Sequence, residues 1–138
     1  MKLHVIAVYH NTDSRFLPYE PGHALSQVIS HWRHMPADAT PQDTADHTFR
    51  LFNADLDQLE TCRAMPNGEI DFLIASAYRL LRLRSLSIGD VVAVTVDGHT
   101  TWLACDTVGW RPIAEPRNLT GSPLTAEIVY QHTRRGDQ

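Results

Sequence analysis

Eight histidines and two cysteines are the residues of this 138-residue chain best suited to bind a metal or attack a substrate, and their spacing argues against both. His31 and His34 form the one tight histidine pair. A zinc site usually takes four donors, and neither Cys62 nor Cys105 has a Cys-x-x-Cys partner. On a strand, the spacing of His31 and His34 sends the two imidazoles to opposite faces. No metal is expected. Nucleophilic catalysis would need Cys62, Cys105 or a serine beside a histidine base oriented by a third group. Cys105 falls in a β-rich run, where it behaves as a small hydrophobe, and there is no Gly-x-Ser-x-Gly elbow. Asp55 and Asp57 suit the capping and charging of a helix start. The seven glycines are isolated turn residues, so no phosphate-cradling loop and no cofactor are expected. An enzyme would have to assemble its site from distant residues, and the expectation is of a protein that is not one.

Charge narrows the partners. The formal net charge is −4, and residues 1–70 carry Lys2 and four Arg against nine Asp and Glu. A broad positive field for nucleic acid is therefore missing. Arg79, Arg82 and Arg84 recur on one side of a helical segment, near Arg111 if the C-terminal hairpin folds back. They read as a solvated face with Glu69 and Asp71 nearby, the alternative being a nucleic-acid-binding regulator that uses these four arginines on phosphate. Asp90, Asp97, Asp106 and Gly109 read as turn formers.

The elements that must position these residues follow from periodicity and punctuation. Residues 2–10 form a strand buried on at least one side. The loop from Asn11 to Gly22 carries Arg15-Phe16-Leu17 and Tyr19 and is expected to pack down. Ala24 to Trp32 fits a helix face or a strand equally well. Thr40-Pro41-Gln42-Asp43 is a capping box with proline at the first helical position, starting a helix from about Pro41 to Phe52. Asp55 caps a short second helix with Leu56, Leu59 and Cys62 inward, stopped by Pro66-Asn67-Gly68. Ile70, Leu73, Ile74, Ala77, Leu80 and Leu81 then mark the buried stripe of a third helix, leaving Asp71, Tyr78, Arg79 and Arg82 outside. Val91 to Val96 and Thr100 to Cys105 flank Asp97-Gly98, a tight hairpin turn with residues able to take positive φ. A further edge piece follows at Trp110 to Ile113, where Pro112 limits pairing.

With 43% hydrophobic residues the chain can bury one core, and no run is long and apolar enough for a membrane span. The start reads as a strand, too punctuated for a signal peptide, and two cysteines make no disulfide framework. A cytoplasmic protein with reduced thiols is expected. The domain is drawn over 1–115 and a C-terminal extension over 116–138, with a strand at Ala126 to Gln131 and the last six residues disordered.

In the order of its segments the chain resembles the YodL-like family, modules of large polyvalent proteins in phages and conjugative elements and small stand-alone proteins. The resemblance runs from the first strand through Arg15-Phe16-Leu17-Pro18-Tyr19 and Phe49-Arg50-Leu51-Phe52-Asn53-Ala54-Asp55. It continues through Ser85-Leu86-Ser87-Ile88-Gly89-Asp90-Val91-Val92 and Asp97-Gly98, and closes on Asp106-Thr107-Val108-Gly109-Trp110-Arg111-Pro112-Ile113. The helical stretch from Leu56 to Leu83 and the tail from Glu115 depart from it. The resemblance favours a strand over 27–33. It implies a protein of mobile elements that acts by binding, with no catalytic residues to carry over. The expected fold is α+β, a small antiparallel sheet with a C-terminal β-hairpin and two to three helices on one face. The expected partner is a protein, through which the chain would modulate host defence, met by Arg15, Tyr19, Asp106 and Trp110 on two loops.

Overall fold

The computed structural model describes residues 1–121. Along the chain lie β1 (Lys2–Asn11), β2 (Leu25–Met35), α1 (Pro41–Phe52), α2 (Leu56–Thr61), α3 (Gly68–Leu80), β3 (Val91–Val96), β4 (His99–Cys105), β5 (Trp110–Ile113) and β6 (Leu119–Gly121). The strands form one sheet in the order β5-β4-β3-β1-β2-β6. Every ladder is antiparallel except that of β2 with β6. This is the α+β class the pattern predicts, with the strand reading of 27–33 holding and β6 added from beyond residue 115. The strand expected at Ala126 to Gln131 and the disorder expected of the last six residues lie outside the described residues.

The punctuation acts as read. Thr40 Oγ1 accepts from the Asp43 N–H at 3.1 Å, and the Asp43 carboxylate accepts from the Thr40 N–H at 2.9 Å, so the capping box satisfies two orphan donors. Asp55 accepts from the Asp57 N–H at the start of α2. Asp97 and Gly98 take φ of 51° and 78°, and Val96 pairs directly with His99, a two-residue hairpin whose positive φ values match the strand twist.

Directly paired residues share a face of the sheet. Ile6, His31 and Val94, with Val8, Ile29, Val92 and Leu103, line the face that the helices cover. Onto it pack Ala45, Leu51 and Phe52 of α1 and Ile74, Ala75, Ala77 and Tyr78 of α3. Tyr78 stacks flat on Phe52, with ring centroids 4.2 Å apart. Tyr78 is therefore core, not solvent-facing as its place in the helical period suggested, while Ile70 and Leu80 are 48% and 46% exposed. The reason is the phenol, which donates to the Arg84 carbonyl and meets His10 Nε2 at 2.7 Å, so the ring can be buried without stranding its hydroxyl. Cys62 is likewise exposed instead of inward, since α2 buries no residue fully.

On the opposite face run the rows Trp32-Val5-Thr95-Thr100, Ser30-Ala7-Ala93-Trp102-Ile113 and Gln27-Tyr9-Val91-Ala104-Arg111. The loop after β1 covers the far end of this face, where Tyr19 packs with Tyr9, Leu25, Val91 and Ala104.

Candidate functional site: the loop end of the sheet

The loop between β1 and β2 is fixed by polar contacts that begin at Asn11, a short-chain amide suited to bonding nearby backbone. Asn11 Oδ1 accepts from the Asp13 and Ser14 N–H groups at 3.0 and 2.9 Å. Its side-chain amide donates to the Gly89 carbonyl at 3.2 Å and to His23 Nδ1 at 3.1 Å. The Glu20 N–H also donates to that Nδ1, which makes Nδ1 the acceptor nitrogen of His23. At the loop's end the Ala24 N–H donates to the Asp13 carboxylate at 2.7 Å. Asp90 anchors the network: its buried carboxylate accepts from the Asn11 and Ser87 N–H groups and from both terminal nitrogens of Arg84.

Held this way, the loop presents Arg15, Phe16, Leu17 and Pro18 to solvent. Phe16 is 61% exposed and Leu17 62%, and Phe16 has φ of 69°. A left-handed aromatic residue carries strain, and here no burial of the ring offsets it. The Arg15 guanidinium lies over the Phe16 ring, 4.9 Å from its centroid. The turn between β4 and β5 adds Val108, 91% exposed, at the same end of the sheet. Arg111 ties the two segments together, donating to the Tyr19 carbonyl at 2.7 Å and to the Asp106 carboxylate at 3.2 Å.

The residues read from the sequence therefore fall into two groups. Arg15 is exposed at the loop tip, and Asp106 and Tyr19 are joined through Arg111. The Tyr19 ring is buried, however, and Trp110 is half-buried against Phe49, ring centroids 6.3 Å apart, so both rings lie beneath the exposed loop residues. Phe16, Leu17 and Val108 are exposed within the same two segments, although they are not among the four residues singled out from the sequence. Their apolar character inside segments rich in turn residues was the available signal. The arginine group is dispersed: Arg84 is held by Asp90, Arg111 by Asp106, and Arg79 donates to the Ala54 carbonyl, leaving Arg82 exposed and with no ion pair among the described residues.

The buried titratable groups are poised for structure. Burial pushes the Cys105 thiol up to about 11, with Asp90 and Asp106 adding to the effect, so it carries little thiolate near neutrality. Burial lowers His10 to about 4, only partly opposed by Asp90. Because the Tyr78 hydroxyl gives its proton to the Arg84 carbonyl, His10 Nε2 is the donor toward Tyr78. Burial raises the Tyr78 phenol well above its ordinary range. His31 is buried on the helix face and His34 is exposed on the other, and among the described residues no group of three or more His, Cys, Asp or Glu is placed to hold a metal. No helix among them is long and apolar enough to cross a membrane.

No family model, curated protein or solved structure matches this chain.

Proposed function

We propose that this is a non-enzymatic interaction protein of a mobile genetic element, working in the cytoplasm and binding a host or rival-element protein through the loop end of its sheet. The YodL-like resemblance supports the setting, and modulation of host defence is the role it suggests. The binding mode rests on one observation: Phe16, an exposed aromatic residue, is kept at φ of 69° on a loop otherwise tied down by Asn11, Asp13 and Arg111. A ring that gains nothing from the core, yet is retained in a costly conformation, is accounted for by a contact outside the molecule. Leu17 and Val108 extend the apolar centre of the surface, and Arg15 supplies its charged rim.

Phe16→Gly separates binding from folding, because glycine relieves the positive φ while deleting the ring. Affinity capture from the native cell is expected to retain a partner on the wild-type chain and to lose it on Phe16→Gly and on Leu17→Ser. The thermal midpoint of Phe16→Gly should stay equal or rise. Unchanged capture by both variants would overturn the assignment.

A further inference from the structure

We propose that the notch where β5 stops short along β4 is a second binding site, for an extended, positively charged segment of a protein partner. β5 pairs with β4 only from Trp102, opposite Ile113, to Cys105, opposite Trp110. The inner edge of His99 to Thr101 is occupied by Val94 to Val96 of β3. Their outer edge has no strand beside it among the described residues. Open strand edges of this kind accept an added strand through main-chain hydrogen bonds. Along this edge opens a groove of about 510 Å3, in the size range of ligand pockets. Trp102, Pro112 and Ile113 give it apolar lining, and His99, Thr100, Thr101 and Glu115 give it polar lining, with Glu115 the one acidic side chain among them.

Charge selects the occupant. Glu115 is exposed and makes no ion pair among the described residues, and no Lys or Arg lines the groove. Trp102, which lines the groove, packs against Tyr9, ring centroids 5.4 Å apart and tilted by 46°. Burial raises the Tyr9 phenol, and the Glu115 carboxylate adds to the effect. A carboxylate with no ion pair among the described residues, lining one groove with an indole, is the chemistry that holds a lysine or arginine side chain. Because side chains alternate along a strand, one added at the β4 edge would send every second residue toward Trp102 and Glu115. This site lies at the end of β4 away from the Asp106 to Gly109 turn and does not depend on the loop surface proposed above.

The test titrates the full-length, isotope-labelled chain with an acetylated Val-Arg-Val-Arg-Val amide, followed by nuclear magnetic resonance, with Val-Glu-Val-Glu-Val as control. The arginine peptide is expected to shift the amides of His99 to Thr101 and the Trp102 indole N–H in a saturable way, and the glutamate peptide to leave them in place. Glu115→Gln should weaken binding about fivefold at low salt without moving the thermal midpoint, as fits loss of one exposed charge pair. Absence of shifts up to about 1 mM peptide, the limit of weak binding, would overturn the proposal. So would equal binding of the glutamate peptide or indifference to Glu115→Gln. Self-association through the notch, abolished by Glu115→Gln, would assign the edge to a second copy and equally overturn it. Phe16→Gly leaves this titration unchanged, so the two sites stand or fall separately.

Discussion

Arg84 and Asp90 form a two-pronged ion pair, with a guanidinium nitrogen 2.7 Å from each carboxylate oxygen. Asp90 is 1% exposed, and it also accepts from the backbone of Asn11 and Ser87, so one carboxylate joins the end of β1, the turn before β3 and the segment after α3. Removing one member of a buried pair leaves the other desolvated and unpaired, which costs about 3–5 kcal/mol when burial is complete. Arg84 is partly exposed, so Arg84→Met is expected near the lower end and Asp90→Ala above it. Urea unfolding checks the order. Equal, small losses for both would show that the pair does not hold the three segments together.

Acid should destabilise the fold through its buried histidines. His10 is lowered to about 4 and His31 to about 3, in each case first by burial, with Arg33 and His47 adding at His31. The ordinary value is near 6.5, so as pH falls below it the unfolded chain takes up protons that the folded chain refuses. Stability conferred by each neutral imidazole is present above pH 6.5 and is lost on the way down toward the folded value. The slope reaches about 1.4 kcal/mol per pH unit for each such group. The urea midpoint should therefore drop between pH 7 and pH 5. Neither ring nitrogen of His31 has a hydrogen-bond partner among the described residues, so His31→Leu removes an unsatisfied polar group and should make the drop shallower. A midpoint that is flat across this range, or a His31→Leu slope equal to wild type, would refute the account.

Gly89 and Gly98 offer a paired test of why the loop sits where it does. Both have positive φ, 95° and 78°. A Cβ at Gly98 meets nothing within 4 Å among the described residues, whereas one at Gly89 would stand 2.4 Å from the Leu17 carbonyl oxygen. Gly98→Ala should cost about 1 kcal/mol, the penalty of the left-handed backbone alone. Gly89→Ala adds a collision with backbone and should cost more while displacing the Leu17 tip, so partner capture falls with it. Equal losses in the two variants would mean that the loop yields freely.

Turn and cap chemistry made much of this architecture legible, because Thr40-Pro41-Gln42-Asp43 and Asp97-Gly98 each specify a local geometry with few competitors. Long-range polar satisfaction was not legible. Tyr78 holds an outward position in the helical period, and its burial rests on the Arg84 carbonyl together with a histidine 68 residues earlier, which no local period encodes. β6 is three residues long and owes its place to pairing with Leu25 to Gln27, below the length at which alternation gives a signal. At the loop end, Arg15, Tyr19, Asp106 and Trp110 were found as segments. Which of their neighbours face solvent depends on how Asn11 and Arg111 fold the loops down.

Trp110 and Val108 should separate the support of the loop end from its surface. Trp110 opens β5, is half-buried, and packs edge-on against Phe49 beside the main core, while two residues earlier Val108 projects almost wholly into solvent. Truncating a fully buried tryptophan costs about 3–5 kcal/mol, so a half-buried one should lose roughly 2 kcal/mol. Val108→Ser lies away from any cap, cavity or ion pair and should stay within about 0.5 kcal/mol of wild type. If the loop end is a binding surface, the order reverses in partner capture relative to stability: Val108→Ser loses partner with its fold intact, and Trp110→Ala loses it only as far as it loosens the turn. Calorimetric midpoints and capture yields, measured on both variants with Arg15→Ala beside them, decide the matter. Full capture by Val108→Ser and Arg15→Ala, with loss confined to the destabilised Trp110→Ala, would mean that these loops only close the end of the core.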